Sequence, residues 1–158
     1  MLLVNALSNT DTRLSEGKPV TPGFLIAALL WIPMQALYRE HLSNGMEERD
    51  AMYFASDVVI SRQLANTALP RRFTKMAREI WQFQLRLRKI KGKQPEKIIE
   101  HPRFRAAYDF LILRAQSGEN VGELAEWWTQ YQGEHAELPQ HRRKHASSFS
   151  GKRKKYRK

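Results

Sequence analysis

Between Arg71 and Lys91, apolar side chains return every three or four residues: Phe73, Met76, Ala77, Ile80, Phe83 or Gln84, and Leu87. That spacing lines up one face of an α-helix and fits no β-strand, whose sides alternate. The rhythm recurs through Phe104, Ala107, Tyr108, Leu111, Ile112 and Ala115, and again through Val121, Leu124, Trp128 and Tyr131. No window alternates apolar and polar residues in a sustained way. Asn44-Gly45, a hairpin signal in other settings, runs into helical Met46-Glu47-Glu48-Arg49. The expectation is an all-α chain, a compact multi-helix bundle.

Punctuation in the sequence divides the chain. Leu2, Leu3, Ala6 and Leu7 read as the last turns of a helix whose beginning is missing, because no capping residue precedes them, and Ser8 to Pro19 reads as a polar linker. Thr21-Pro22 starts a helix through Phe24, Leu25, Ala28, Leu29 and Ile32, with the hydroxyl as cap and Pro33 as its kink or end. Asn44 with Glu47, and Asn120 with Glu123, have the spacing of capping boxes. The helix after Asn44 should bury Met52, Ala55, Val59 and Ile60 and end near Asn66. Pro70 precedes a long helix stopped by Lys91-Gly92-Lys93; Pro95 opens a short one, and Pro102 another that ends at Ser117-Gly118. From Gly133 on, periodicity stops, and nine Lys and Arg face two Glu. Such a composition does not bury enough apolar surface to fold alone. Three parts result: residues 1–20, a helix remnant and linker; 21–132, the helical domain; 133–158, a disordered basic tail.

Charge narrows the partners. The 158 residues carry 27 Lys and Arg against 16 Asp and Glu, a net +11, which favours polyanions such as nucleic acid. The chain has no cysteine, which excludes disulfides, thiolate metal sites and a cysteine nucleophile and sits easily with a cytoplasmic location. No signal peptide is visible, and the apolar run Phe24 to Ile32 is too short to span a bilayer, so it is expected to be a buried core helix.

A search for a catalytic centre finds none. The four aspartates, Asp11, Asp50, Asp57 and Asp109, include no pair two residues apart on a strand, the arrangement that lets two carboxylates share metal ions in nucleotidyl transfer. Glu47, Glu48 and Asp50 cluster where a helix start favours carboxylates. Glycine-rich phosphate loops are missing. His141 and His145 have a usable metal spacing but lie among Arg142, Arg143 and Lys144, which repel a cation. His101, before Pro102, is expected to organise a turn. No metal and no cofactor is expected in this chain.

The binding signal is stronger. From Arg71 to Lys93 only Glu79 opposes nine basic residues. Arg71, Lys75, Arg78, Gln82, Arg86 and Lys89 step by three or four and fall on one stripe, where like charges cost a few tenths of a kcal/mol per pair. A phosphodiester laid on that face offsets this cost. The candidate nucleic-acid-contacting residues are Arg71, Arg72, Lys75, Arg78, Arg86, Arg88 and Lys89, with Arg103 and Arg105 on the next long helix and Arg142, Arg143, Lys144, Lys152, Arg153, Lys154 and Lys155 in the tail as a mobile electrostatic arm. Arg114 is expected on the same outer face. Trp81, Trp127 and Trp128 have the chemistry to stack on bases, yet structural roles are favoured for all three.

The strings Arg78-Glu-Ile-Trp-Gln-Phe-Gln-Leu-Arg-Leu-Arg88 and Glu100-His-Pro-Arg-Phe-Arg-Ala-Ala-Tyr-Asp-Phe-Leu-Ile-Leu-Arg114 closely resemble the C-terminal region of the bacterial poly(A) polymerase I family of polynucleotide adenylyltransferases. Thr21 to Pro33, Leu69-Pro-Arg-Arg72, Glu126-Trp-Trp128 and the basic terminus fall in the same order there. The resemblance runs over about residues 18–132. It implies the body- and leg-like region of a class II nucleotidyltransferase, a superfamily shared with tRNA CCA-adding enzymes. In that family a catalytic head binding ATP and Mg adds AMP to RNA 3′ ends, which promotes mRNA decay. The Gly-Ser and Asp-x-Asp motifs of the head have no counterpart here, so no catalytic residue carries over.

The expectation is therefore an RNA-holding, monomeric, cytoplasmic polymerase fragment that does not incorporate AMP from ATP. A stand-alone helical module recruiting RNA-decay proteins is the alternative. A peripheral membrane role ranks last, because the apolar faces are committed to a core.

Overall fold

The structure, a computed structural model, describes residues 1–17 and 21–136. Eight helices and no strand occur among the described residues: α1 (Leu2–Ser15), α2 (Pro22–Leu29), α3 (Trp31–Ser43), α4 (Glu48–Leu64), α5 (Arg71–Leu87), α6 (Gln94–Ile99), α7 (Phe104–Gln116) and α8 (Gly122–Ala136). None is long and apolar enough to cross a membrane.

The strongly amphipathic α5 sits at the centre because its apolar side is wide enough to serve two cores. Ala77, Ile80 and Trp81 enter a first cluster with Ala27, Ala28, Trp31 and Met34 of α2–α3, Met52, Ala55, Val59 and Ile60 of α4, and Phe110 and Leu113 of α7. Phe83 and Leu87 enter a second with Ile98 of α6, Phe104, Ala107 and Leu111 of α7, and Ala125 and Trp128 of α8. Helix α7 bridges the two in the same way. Helix α2 approaches α5 closely at Gly23, where an added Cβ would lie 2.8 Å from the Met76 Cβ and Sδ.

A polar strut joins the cores. Gln84, buried in α5, donates to the Ala107 carbonyl at 3.1 Å and accepts from Arg114 at 3.1 Å. Arg114 also pairs with Glu119 and lies over the Trp31 ring at 4.8 Å, while Trp31 Nε1 donates to the other Glu119 oxygen at 2.7 Å. Gly118 at φ 91° makes this possible. It closes a Schellman-type end on α7, with the Glu119 N–H on the Arg114 carbonyl at 3.1 Å, and so folds the carboxylate back over its partners. Arg114, expected on the outer face of α7, is instead 14% exposed and structural.

Other departures are local. Helix α1 continues to Ser15, so much of the stretch read as linker is helical, fastened to α7 by Asn5 Nδ2 on Gln116 O and Ser117 Oγ. The second helix breaks at Leu30 and not at Pro33, which lies in the first turn of α3, where a missing N–H has no helical acceptor to lose. Leu29 and Ile32, expected inside, are 54% and 63% exposed. Thr21 caps α2 without a side-chain hydrogen bond. Asn44 ends α3, and Glu47, with no side-chain cap bond, begins α4, so the first capping box is absent. The long helix ends at Leu87, short of Lys91.

Candidate nucleic-acid interface

Because α5 buries its apolar side in both cores, its basic side is forced outward beside α4. The expected stripe divides into two open ends. At one, Arg71, Arg72 and Lys75 are exposed, Arg72 with its guanidinium 4.6 Å from the Phe73 ring centroid and Lys75 3.8 Å from Glu79. At the other, Arg86 and Lys89 are exposed, with the Arg86 guanidinium held over the Phe83 ring at 4.6 Å. Between them Arg78 is half-buried and meets Asp57 of α4 at 2.8 Å, and Gln82 is half-buried too. The row therefore runs along the helix only as far as Arg86, with Lys89 in the turn past its end, and it is interrupted in space by a carboxylate from α4.

The remaining candidates are not equivalent. Arg88 is held by both oxygens of Glu48, at 2.9 and 2.7 Å. Burial and the nearby Glu48 raise the Tyr38 hydroxyl above its ordinary value, against the lowering effect of the Arg88 charge. Arg103 reaches Glu79 with Nε at 2.8 Å and with its terminal nitrogen at 2.7 Å, tying α7 to α5. Arg105 is well exposed, 3.3 Å from Asp109 and 5.6 Å from the Tyr108 ring centroid. Arg142, Arg143, Lys144, Lys152, Arg153, Lys154 and Lys155 lie outside the described residues, as do His141 and His145.

The tryptophans follow the structural expectation. Trp81 and Trp128 are fully buried, and their indole nitrogens donate to the Ala27 and Leu87 carbonyls at 3.1 and 2.8 Å. Trp127 stacks on Tyr131 at 4.9 Å, and Tyr131 stacks on His135 at 3.8 Å, so these rings face one another. His101 accepts the Arg103 N–H at 3.0 Å, organising the turn into α7.

Sequence reasoning passed over a groove of about 960 Å³ between α4 and α5, where Gln82, Arg86 and Lys89 face Arg49, Asp50 and Tyr53. Tyr53 is 56% exposed and Phe54 50%. The signal was present: Met52 and Ala55 fix the inward face of α4, which leaves two aromatic residues facing water. A second cavity of about 560 Å³ lies between α1, α2 and α7, with Arg13, Arg105 and Asp109 in its wall. Burial raises the Asp109 carboxyl above the usual carboxylate value, against the lowering effect of Arg105 and Arg13. Among the described residues no group of three or more His, Asp or Glu is placed to hold a metal ion.

These features define a class: an all-α unit with a double core and a predominantly basic helix face displayed beside a groove walled in part by Tyr53. More specifically, the chain belongs to the family described as the polymerase A arginine-rich C-terminus, which matches residues 44–158. It is 38% identical over 134 residues to poly(A) polymerase I of Escherichia coli O157:H7 and of Salmonella typhi, and 40% identical over 135 residues to that of Haemophilus influenzae. Each alignment covers 83% of this chain and 29% of the relative, so the chain spans less than a third of these relatives' length.

Proposed function

We propose that this chain holds RNA, as the part of a cytoplasmic poly(A)-polymerase-type protein that grips the strand and does not itself transfer AMP. The observation that carries the reading is the pair of open cationic ends on α5, Arg71, Arg72 and Lys75 at one and Arg86 and Lys89 at the other, backed by two packed cores. Two clusters of exposed cations on a packed scaffold suit a phosphodiester backbone, whose recognition is dominated by charge neutralisation and counterion release. On this reading ATP and Mg are bound by parts of the full-length relatives outside the matched region, and the unit works as a monomer.

The test is titration of the purified chain with a fluorescently labelled single-stranded RNA at several salt concentrations, with AMP incorporation from ATP and Mg measured in parallel. Affinity should fall steadily as salt rises, with no incorporation. Absent or salt-independent affinity overturns RNA holding; incorporation overturns the non-catalytic assignment.

A second reading, recruitment of an RNA-decay protein, is favoured by the outward side of α1, where Val4, Leu7 and Leu14 are 64%, 51% and 61% exposed. A decay-protein complex that survives nuclease treatment and is lost on Leu7→Ser would support it.

A further inference from the structure

We infer that the α4–α5 groove is a seat for one unpaired RNA base, stacked on Tyr53, with the flanking phosphates held by Arg86 and Lys89. The inference rests on the RNA-holding reading above and adds where, and by which chemistry, a base is engaged.

Three observations converge. Gln82, Arg86 and Lys89 belong both to the basic row and to the groove wall, so a strand following the row is led to Tyr53. Tyr53 and Phe54 meet edge to face, 6.0 Å between centroids and 85° between planes. Such a pair uses an edge of one ring and a face of the other, which leaves open π-surface on both, unlike the mutually stacked rings of Trp127, Tyr131 and His135. The groove's volume of about 960 Å³ is sufficient for a nucleotide-sized ligand.

Charge then orients the nucleotide. The α4 side carries Glu47, Glu48 and Asp50, with Glu48 neutralised by Arg88 and Arg49 the cation on that side. The exposed Glu47 and Asp50 carboxylates repel a phosphate, so the backbone runs on the α5 side and the neutral base turns toward α4. Stacking on an aromatic side chain tolerates any base, since each presents a π-face. Bases in a duplex are already stacked and cannot enter.

The experiment compares the full chain with Tyr53→Ala and Tyr53→Phe, using a single-stranded oligoadenylate, a duplex RNA of the same length, and inorganic polyphosphate as a base-free polyanion. Because Tyr53 is exposed, both variants should keep the parent circular dichroism and melting curve. Tyr53→Ala should weaken oligoadenylate by about 5-fold or more, as expected when one stacked base is lost. Duplex and polyphosphate affinities should stay unchanged, and Tyr53→Phe should bind like the parent. Oligoadenylate affinity unaltered in Tyr53→Ala overturns the base seat while leaving salt-dependent RNA holding intact. Equal losses with duplex or polyphosphate overturn it as well, since the side chain would then act without a base. If the parent binds none of the probes, the RNA-holding reading itself fails.

Discussion

Lys89 and Arg103 are both basic residues of the same sequence-derived set, yet the structure gives them opposite roles, and a paired substitution tests that division. Lys89 is exposed in the turn just past the C-terminal end of α5, and Arg103 forms two short contacts with Glu79, the side chains of that pair being about a third exposed, at 31% and 33%. For single strands each phosphate contact contributes roughly 0.7 to the slope of log affinity against log salt. If affinity extrapolated to about 1 M salt is unaffected, Lys89→Ala loses about 0.7 log units at about 0.1 M, near 5-fold. Its stability should not move. Arg103→Ala should leave the slope unchanged and cost about 1 kcal/mol, the solvent-screened worth of a well-formed partly exposed pair. With a urea dependence near 2 kcal/mol per molar, the midpoint drops by about 0.5 M. Fluorescence anisotropy across a salt series and urea melts followed at the buried tryptophans give both numbers. Equal slope losses in the two variants, or a destabilised Lys89→Ala, would refute the assignment of free and structural cations.

Glu119→Ala strips the acceptor from a buried indole and the counter-ion from Arg114, and should cost about 2–3 kcal/mol by chemical denaturation. A loss below about 0.5 kcal/mol would mean that the strut between the cores contributes little. Gly23→Ala drives a methyl into Met76 and should destabilise by about 1–3 kcal/mol, with Met76→Ala partly relieving it in a double-mutant cycle; additive effects would place the strain elsewhere. Asp109 has a raised folded-state pKa, chiefly from burial, so the folded chain binds its proton more tightly than the unfolded chain. Its contribution to stability is therefore greatest below the unfolded value and is lost as pH rises through the folded one. Asp109→Asn should flatten the pH dependence of stability across that acidic window; a profile parallel to the parent's would contradict it.

The helical class and most of the core were legible because they depend on spacing alone. Ala77, Ile80 and Leu87, or Phe104, Ala107 and Leu111, could be placed inward without knowing what they touch. Helix ends were read less well, since Asn44 has the chemistry of a cap but the chain turns three residues later, at Glu47. Arg114 shows the limit for function. On the wheel it belongs with exposed cations, but its neutralisation comes from Glu119, brought back by the turn at Gly118, and its flat face is covered by Trp31 from another helix. Tyr53 was missed for a different reason. The spacing of Met52 and Ala55 already turns it outward, but only the packing of α4 beside α5 shows that it faces the basic residues Arg86 and Lys89 across a groove.

These cases bear on why the basic row sits on α5. An isolated helix with this charge pattern is strained by repulsion, and a peripheral helix would relieve that strain by fraying or turning away. Helix α5 can do neither, because Ile80, Trp81, Phe83 and Leu87 anchor it in both cores and the Trp81 indole ties it to α2. Asp57, Glu48 and Glu79 soften the repulsion mainly at the middle and flank of the row, with Lys75 loosely paired to Glu79, and leave Arg71, Arg72, Arg86 and Lys89 exposed at its two ends. A polyanion bound there gains electrostatic attraction without ordering the helix first, so affinity is preorganised in the same packing that gives the bundle its stability. Loosening either core should therefore weaken RNA binding even when every basic residue is kept. Leu87→Ala, which opens the second core by about 2–5 kcal/mol and touches no charge, is the substitution that separates this argument from one based on net charge alone. Under conditions where that variant remains folded, its RNA affinity should fall; undiminished affinity would mean that the charge works without the scaffold.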